Sequence, residues 1–344
     1  MSEIGVQGTV PDITVIIPVY NAAHDLQGCL ESLRTQNYPQ EKMHILVVDD
    51  DSSDSTRDVA QSYGAVVLRN GHRNIERGKS IGLAHSTTEF VFLIDSDNRL
   101  PDDDWLHTAV LILVDNPSVV GVQAAWFAYN RSDPPANRYC SLFGIGDPLA
   151  YYLRKFDHLP YLDKEWTLSG TVVAQTDDCF FVRFTPQTMP TIGSQGFLTR
   201  KSLLETTHWT PSLFHVDVNM ELVASGHDLY AILRRVVVHD GARSIGHLCG
   251  KLERNGALFL EQRDDRPHHV WMTTNKWAML KAMLIMTTVV LPLRDALYGY
   301  RHLRDPAWFI HPLVSLYMPF VYTRLILQWM WHTMTERLAR GAAM

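Results

Sequence analysis

Short apolar runs alternate with amphipathic stretches through the first 130 residues. The runs around residues 13–20 and in "HILVVDDD", "AVVLRN", "FVFLID" and "VVGVQAAWFAY" predict buried strands. The stretches between them predict helices; the first has Leu26, Leu30 and Leu33 at helical spacing. Strands that alternate with helices indicate the α/β class, with a doubly wound, mostly parallel sheet.

Polar residues follow three of these predicted strands at the point where each strand ends. The three strand ends are Pro18–Asn21, Asp49–Asp51 and Asp95–Asp97. In doubly wound sheets, ligands bind beyond the carboxyl ends of the strands. The topology therefore predicts that these side chains share one edge of the sheet, and that this edge carries the functional site.

The pattern Asp95-Ser96-Asp97 has two carboxylates two positions apart. In an extended segment such residues point to the same side, and two carboxylates that close repel each other unless a proton or cation lies between them. Oxygen ligands suit a hard divalent ion such as Mg²⁺ or Mn²⁺. The alternative is a solvated turn. Because the motif ends an apolar strand and faces other acids, the sequence favours a metal site at Asp95 and Asp97.

Three segments in order resemble the N-terminal half of glycosyltransferase family 2. They are "TVIIPVYNAAHDLQGCLESLRTQNYP", "ILVVDDDSSDST" and "RGKSIGLAHSTTEFVFLIDSDN". The resemblance covers roughly the first 100 residues and continues more weakly to about residue 230. It implies the GT-A fold, a Rossmann-like α/β architecture, a nucleotide-diphosphate sugar as donor, and inversion of the configuration at the anomeric carbon.

The resemblance also implies roles for single residues. Pro18 and Tyr20 would line the pocket of the nucleotide base, and Asp50 would accept a hydrogen bond from the base, which favours uracil and a UDP-linked donor. Lys79 would lie near the diphosphate or the sugar. Each has a plainer alternative: Pro18 can simply end a strand, Asp50 can cap a helix, and Lys79 can be an exposed helix lysine.

For the acidic motif, the resemblance implies that Asp95 and Asp97 hold the sugar and the metal. The sequence departs from the family pattern at two neighbouring positions. Asp51 stands where the family usually has glycine, and Asn98 stands where many members have a further aspartate. We therefore expect a different turn after the second strand and one acidic contact fewer near the metal.

The catalytic base is expected in "LFHVDVNMELVASG", where the family has an acidic pair. Counting back from Gly226, His215 takes the usual position of the base and Asp217 lies two residues later. Either side chain can remove a proton from a sugar hydroxyl. We favour Asp217, with His215 second. A phosphate acceptor, already ionised at neutral pH, would need no strong base.

The chain has two oppositely charged parts. Its formal net charge is −6, but from Asp228 onward it contains 15 Lys+Arg and 9 Asp+Glu, so that part carries +6 and the rest −12. A basic segment suggests either nucleic acid or anionic lipid as partner. The segment also contains apolar runs in which tryptophans recur: Trp271, Trp277, Trp308, Trp329 and Trp331.

Tryptophan and basic residues mixed with leucine suit the lipid headgroup region, so we expect a membrane surface and no nucleic acid. Pro306, Pro312 and Pro319 disfavour one straight spanning helix, which favours interfacial or re-entrant helices. Core helices or an oligomer interface are the alternative. The N-terminus lacks the features of a secretory signal, and four dispersed cysteines suit a reducing compartment.

The sequence predicts a GT-A domain over residues 1–230, with a nucleotide-sugar half to about 130 and an acceptor half over 131–230. A connecting segment over 231–269 and membrane-associated helices over 270–344 follow. The expected function is the transfer of a sugar to a lipid-linked or polyprenyl-phosphate acceptor at the cytoplasmic face of the cell membrane. The transfer is expected to be metal-assisted and to invert the anomeric configuration. The alternative is a catalytically inactive membrane scaffold that binds a nucleotide sugar. A signalling receiver domain fits poorly, since it is complete in roughly 120 residues.

Overall fold

The computed structural model describes residues 10–193, 195–263, 266 and 274–342. The chain forms two compact units. The first unit comprises the chain up to Ala125 together with Gly170–Thr185 and Thr191–His239. The second comprises Trp126–Ser169, Pro186–Pro190 and the chain from Asp240 onward. Each unit is described by itself below.

The described strands belong to one extended sheet. In chain order they are β1 Ile13–Val19, β2 Met43–Asp49, β3 Val66–Arg69, β4 Phe90–Leu93, β5 Asn98–Arg99, β6 Val119–Phe127, β7 Thr171–Gln175, β8 Cys179–Arg183, β9 Phe197–Arg200 and β10 Leu229–His239. Their order across the sheet is β3-β2-β1-β4-β9-β6-β10-β8-β7, and β5 pairs with β10. The five strands predicted from the sequence are β1, β2, β3, β4 and β6, which confirms that part of the prediction.

The sheet has a parallel half and an antiparallel half. Strand β1 runs parallel to both β2 and β4, and β2 runs parallel to β3, so the ends of these strands lie at one edge. Strand β9 runs antiparallel to β4 and β6, and β8 runs antiparallel to β7 and β10. The α/β class and the GT-A architecture are confirmed. The antiparallel strands β7 to β10 lie beyond residue 130, where the predicted alternation of strands and helices ends.

The described helices are the following: α1 Ala23–Arg34, α2 Thr56–Ser62, α3 Ile75–His85, α4 Trp105–Asp115, α5 Pro135–Phe143, α6 Pro148–Leu153, α7 Lys201–Leu204, α8 His215–Ala224, α9 Ile245–Glu261, α10 Lys276–Thr288, α11 Val290–His302 and α12 Ile310–Ala342. Helices α1 to α4 lie in the stretches between the five predicted strands, as the sequence predicts. A short 3₁₀ helix, Pro306–Phe309, leads into α12.

Helix α3 lies unusually close to β1, and two glycines allow the approach. A Cβ atom at Gly82 would lie 2.3 Å from Cγ2 of Ile16, and one at Gly78 would lie 3.1 Å from Cβ of Pro18. Real Cβ atoms do not come as close as the first of these distances, so only glycine fits at position 82. The contact fixes the N-terminal turn of α3 against the end of β1.

The second unit is built on a separate core that includes Phe143, Trp308 and Met318. His311 lies in this core, where the ring of Phe143 stacks on it at 4.0 Å between centroids. Hydroxyl oxygens lie beside both ring nitrogens: Tyr139 at 3.1 Å from Nδ1 and Tyr152 at 3.0 Å from Nε2. Burial of the histidine is thus accompanied by hydrogen bonds on both sides of the ring.

The C-terminal helices differ from the prediction in one respect. Helix α12 continues through Pro319, so the expectation that prolines interrupt this segment is wrong there. A proline inside a helix removes one hydrogen bond but does not always end the helix. The break lies instead at Val289, where φ is +60° and α10 and α11 meet at an angle of 68°. Trp271 lies outside the described residues.

By length and composition, Pro306–Thr335 is the one described helix able to cross a membrane, and half of its apolar window is buried inside the protein. The bent pair α10–α11 meets the same criterion only when its two helices are taken together.

Candidate active site

The loops that follow three neighbouring strands each contain a residue with left-handed backbone conformation. Asn21, Asp51 and Arg73 have φ values of +46°, +59° and +49°. Asp51 occupies the position where glycine was expected, and it adopts the conformation for which glycine is usually needed, which aspartate tolerates better than most residues. Its carboxylate accepts a hydrogen bond of 2.7 Å from Nε of Arg69. The turn therefore keeps a left-handed residue without glycine.

Asp50 organises the loop that follows β3. Its Oδ1 accepts hydrogen bonds from the backbone N–H groups of His72, at 3.0 Å, and Arg73, at 2.6 Å. The same loop brings the guanidinium of Arg73 to 5.4 Å from the centre of the Tyr20 ring, a cation–π distance. The structure thus brings Tyr20 and Asp50 together through this loop. Pro18 is buried in β1 beneath Gly78.

Lys79 is a buried lysine between two carboxylates. Only 2% of its side chain is exposed; its Nζ lies 3.6 Å from Oδ1 of Asp95 and 3.4 Å from Oε2 of Glu76. Burial opposes the charge, but Asp95 and Glu76 outweigh it and raise the pKa of Lys79. The exposed-lysine alternative is therefore wrong: Lys79 carries a fixed positive charge at the end of β4.

The carboxyl of Asp95 lies in a mixed environment. Its side chain is 29% exposed, while Oδ1, on the Lys79 side, is shielded from solvent and accepts no hydrogen bond from the described residues. Burial raises the pKa of Asp95, the Lys79 ammonium opposes this, and the carboxylates of Asp97 and Glu76 add to the rise. A cation beside Asp95 and Asp97 would relieve that repulsion.

Asp97 lies beside His239, a residue that the sequence did not single out. Strand β5 pairs with the end of β10, with Asn98 opposite His239, and this places Nε2 of His239 3.5 Å from Oδ2 of Asp97. Within the described residues no three His, Cys, Asp or Glu side chains already converge as a metal site. A carboxylate and an imidazole fit a divalent ion that completes its coordination with substrate and water.

Helix α8 presents His215 towards this cluster. Nδ1 of His215, the first residue of α8, lies 3.6 Å from Oε1 of Glu76, which in turn contacts Lys79. Asp217 is two positions further, about 200° around the helix axis. Its side chain is buried, and His215 makes the contact with Glu76. Glu76 was also missed, because no local pattern marks it.

Comparison with known proteins identifies the chain. The family described as Glycosyl transferase family 2 matches residues 14–184, which contain Tyr20, Asp50, Lys79, Asp95 and Asp97. The chain belongs to glycosyl transferase family 2. Curated relatives of this family 2 chain include the glycosyltransferase AglE of Haloferax volcanii, 30% identical over 140 residues, which are 39% of this chain and 45% of the relative.

A second relative is the poly(ribitol-phosphate) beta-glucosyltransferase of Bacillus spizizenii. It is 34% identical over 104 residues, 28% of this chain and 16% of the relative. The chain therefore spans less than half the length of these two relatives. The solved structure of the mannosyltransferase PcManGT from Pyrobaculum calidifontis, in complex with GDP-Man and Mn²⁺, shares the fold with a TM-score of 0.54. That likeness has 17% identity and covers 94% of this chain and 88% of PcManGT.

Proposed function

We propose that this family 2 protein is an inverting glycosyltransferase that moves a sugar from a nucleotide-diphosphate sugar, UDP-linked, to a lipid-linked or polyprenyl-phosphate acceptor. One observation carries the proposal. The buried Lys79 ammonium, the Asp95-Ser96-Asp97 pair and His215 of α8 belong to one cluster at the carboxyl end of the parallel strands. This is the edge at which such sheets bind nucleotides.

In the proposed complex the nucleotide lies across the ends of β1 to β4. Tyr20 and Pro18 line the base pocket, and Asp50 accepts a hydrogen bond from the base. Asp50 also positions the loop that carries Arg73, through its hydrogen bonds with the backbone of that loop. The cation–π contact of Arg73 with Tyr20 supports an aromatic surface at that position. The positive charge of Arg73 suits the diphosphate that follows the nucleoside. Lys79 lies next to Asp95, near the proposed position of the sugar.

A divalent ion, Mg²⁺ or Mn²⁺, is proposed to bind at Asp97 with His239, with Asp95 as a further contact to the ion or the sugar. Burial and the nearby carboxylate of Asp97 raise the pKa of Asp95, and a cation at this position would relieve the repulsion between the two carboxylates. When bound, such an ion offsets the negative charge of a departing nucleoside diphosphate. Lys79 lies on the other side of Asp95 and holds that carboxylate in place.

In the proposed reaction, an acceptor hydroxyl oxygen forms a bond to the anomeric carbon while the bond from that carbon to the diphosphate oxygen breaks. The hydroxyl proton passes to a base on α8, and the electron pair leaves with the nucleoside diphosphate. Attack opposite the leaving group inverts the configuration. Asp217 was favoured from the sequence, but the contact with Glu76 supports His215. A phosphate acceptor would need no base.

The acceptor is proposed to be held by a membrane at its cytoplasmic face. Helices α10 and α11 expose large apolar side chains, including Trp277 at 77% and Leu284 at 57%. Lys276, Lys281 and Arg294 lie on the same two helices. Apolar side chains mixed with basic ones suit the headgroup region of an anionic leaflet.

The experiment that tests this function is radiolabel transfer from a panel of nucleotide sugars to a membrane lipid extract with Mn²⁺. Labelled lipid supports the proposal. A protein that binds a nucleotide sugar but transfers none to lipid or water is the inactive scaffold instead. Replacement of Asp217 by Asn and of His215 by Ala then assigns the base: the one whose loss lowers kcat by about 100-fold or more while donor binding persists is the base.

A further inference from the structure

We propose that Glu76 is a positioning residue of this site, which fixes the ring of His215 with its proton on Nδ1 and leaves Nε2 as the proton acceptor. The inference rests on the proposed function, because it concerns the base of the same reaction. It gives a role to Glu76, which no sequence pattern marks and which has no role in the proposed function above. The observations that carry it are the two contacts of one carboxylate and the way in which α3 is held.

The carboxylate of Glu76 has two neighbours of different kinds. Oε1 lies 3.6 Å from Nδ1 of His215, and Oε2 lies 3.4 Å from Nζ of Lys79. The ammonium of Lys79 is almost completely buried and lies between Glu76 and Asp95. Since Lys79 stays charged, it favours the ionised form of Glu76. An ionised Glu76 can only accept hydrogen bonds, so its position 3.6 Å from Nδ1 favours the form of His215 with the proton on Nδ1.

The backbone holds the two helix ends together independently of these side chains. The N–H of Leu213, just before α8, donates to the backbone carbonyl of Glu76 at 2.9 Å. Helix α3 is itself fixed on β1 by the close approach at Gly78 and Gly82. Glu76 therefore lies in the first turn of a tightly placed helix, directly beside the first turn of α8. A side chain held in this way is suited to orient a neighbour.

The chemical consequence concerns which nitrogen of His215 is free. A neutral imidazole has one N–H and one lone pair, and a carboxylate on one nitrogen selects the tautomer with the lone pair on the other. This is the arrangement in which a base is oriented by a third group. The distance of 3.6 Å is longer than a hydrogen bond, as catalytic contacts often are before substrate binds. The proton of the acceptor hydroxyl then moves to Nε2 of His215.

Glu76 could instead serve only as a counter-charge for Lys79. The two roles predict different results for the His215 ring. A counter-charge acts on the charge and position of Lys79 and leaves the tautomer of His215 unaffected. A positioning residue changes the tautomer when it is removed, and a neutral side chain that still accepts a hydrogen bond preserves it.

The test is ¹⁵N NMR of the His215 ring in the full chain at a pH where the ring is neutral, with Glu76→Ala, Glu76→Gln and the surface control Glu205→Gln. We expect the wild type and Glu205→Gln to carry the proton on Nδ1. Glu76→Ala should move it to Nε2, and Glu76→Gln should retain it, because the glutamine oxygen still accepts. Transfer assays should show kcat about 100-fold lower for Glu76→Ala, with a smaller change in donor affinity and partial recovery in Glu76→Gln.

A wild-type ring protonated on Nε2 overturns the proposal even if no variant folds. A Glu76→Ala protein with the tautomer of the wild type overturns it as well, whatever its activity. Failure of the proposed function looks different: the wild type then transfers no sugar from any donor, while the NMR result still decides whether Glu76 orients His215.

Discussion

Nε2 of His239 lies 3.5 Å from Oδ2 of Asp97, although β10, whose last residue is His239, is far from the aspartate in the chain. The short strand β5 creates this proximity by pairing Asn98 with His239. Local patterns around Asp97 predict the carboxylates, but only the pairing of distant strands supplies the imidazole. The proposed metal site therefore depends on two segments of the first unit that are far apart in the chain.

Metal binding can be tested without turnover. Asp97→Asn removes a formal charge with little change in size, and His239→Asn removes the imidazole. We expect Asp97→Asn to abolish Mn²⁺ binding in the presence of UDP, and His239→Asn to weaken it by at least about tenfold, since each ligand stabilises the bound ion. Electron paramagnetic resonance of free Mn²⁺ measures this. The control is Asp58→Asn, at an exposed position of α2. Equal Mn²⁺ affinity in Asp97→Asn and the control would contradict the assignment.

Replacement of Lys79 should expose the repulsion that it relieves. Lys79→Met leaves Asp95 and Glu76 without the buried ammonium between them, and loss of one partner of a buried ion pair lowers the free energy of unfolding by about 3 to 5 kcal/mol. The pKa of Asp95 is already raised, and loss of Lys79 raises it further, because Lys79 lowers it.

A carboxyl whose pKa is raised by folding destabilises the protein as pH rises through the unfolded and then the folded value. The loss in the free energy of unfolding caused by Lys79→Met should therefore be larger at pH 8 than at pH 5. Urea denaturation at both values measures it, with Lys164→Met at an exposed position as the control. An equal loss in the free energy of unfolding at both pH values would argue against the coupling of Lys79 to Asp95.

The close approach of α3 to β1 gives a third prediction. Gly82→Ala places a methyl group against Ile16, which is fully buried, so it should lower the free energy of unfolding by about 1 to 3 kcal/mol despite the better helix propensity of alanine. The double variant with Ile16→Ala should lose less than the sum of the two single changes, as measured by urea denaturation.

The matched change is Gly246→Ala in α9, where a Cβ would lie 4.0 Å from the nearest side-chain atom. It should be neutral or stabilising by up to about 1 kcal/mol. Equal changes in the free energy of unfolding for Gly82→Ala and Gly246→Ala would contradict a tight contact between α3 and Ile16.

The membrane proposal depends on one face of α10. Trp277 and Leu284 are seven residues apart and therefore on the same side of the helix, and both are exposed. Replacing both by serine should weaken binding to anionic phospholipid vesicles by at least about tenfold, because each buried apolar side chain contributes roughly 1.5 to 3 kcal/mol. Co-sedimentation with vesicles measures this.

The control for vesicle binding replaces two exposed apolar residues of the first unit, Val66 and Val114, by serine. It should bind as the wild type does. Added salt should reduce binding of all the variants, since basic residues near the surface contribute about 1 kcal/mol each. A wild-type protein that stays monomeric without detergent and does not bind anionic vesicles would overturn the membrane proposal but not the sugar-transfer proposal.

The sequence predicts the parallel half of the fold well, because each buried strand there is a continuous apolar run that ends in polar residues. It predicts Asp95, Asp97 and Lys79 for the same reason: they lie next to such strand ends or in the motifs that the family shares. It fails for Glu76 and His239, which acquire their positions from contacts between distant segments. It also fails at Pro319, where the helix continues through a residue that usually ends one.

The most direct measurement is transfer of radiolabelled sugar from a nucleotide sugar to membrane lipid by the wild type, Asp97→Asn and His215→Ala, assayed side by side with Mn²⁺. We expect labelled lipid from the wild type with one donor and none above background from Asp97→Asn. We expect at least about 100-fold less labelled lipid from His215→Ala if the acceptor is a hydroxyl. Equal transfer by the wild type and Asp97→Asn at saturating Mn²⁺ would contradict metal-assisted sugar transfer at this site.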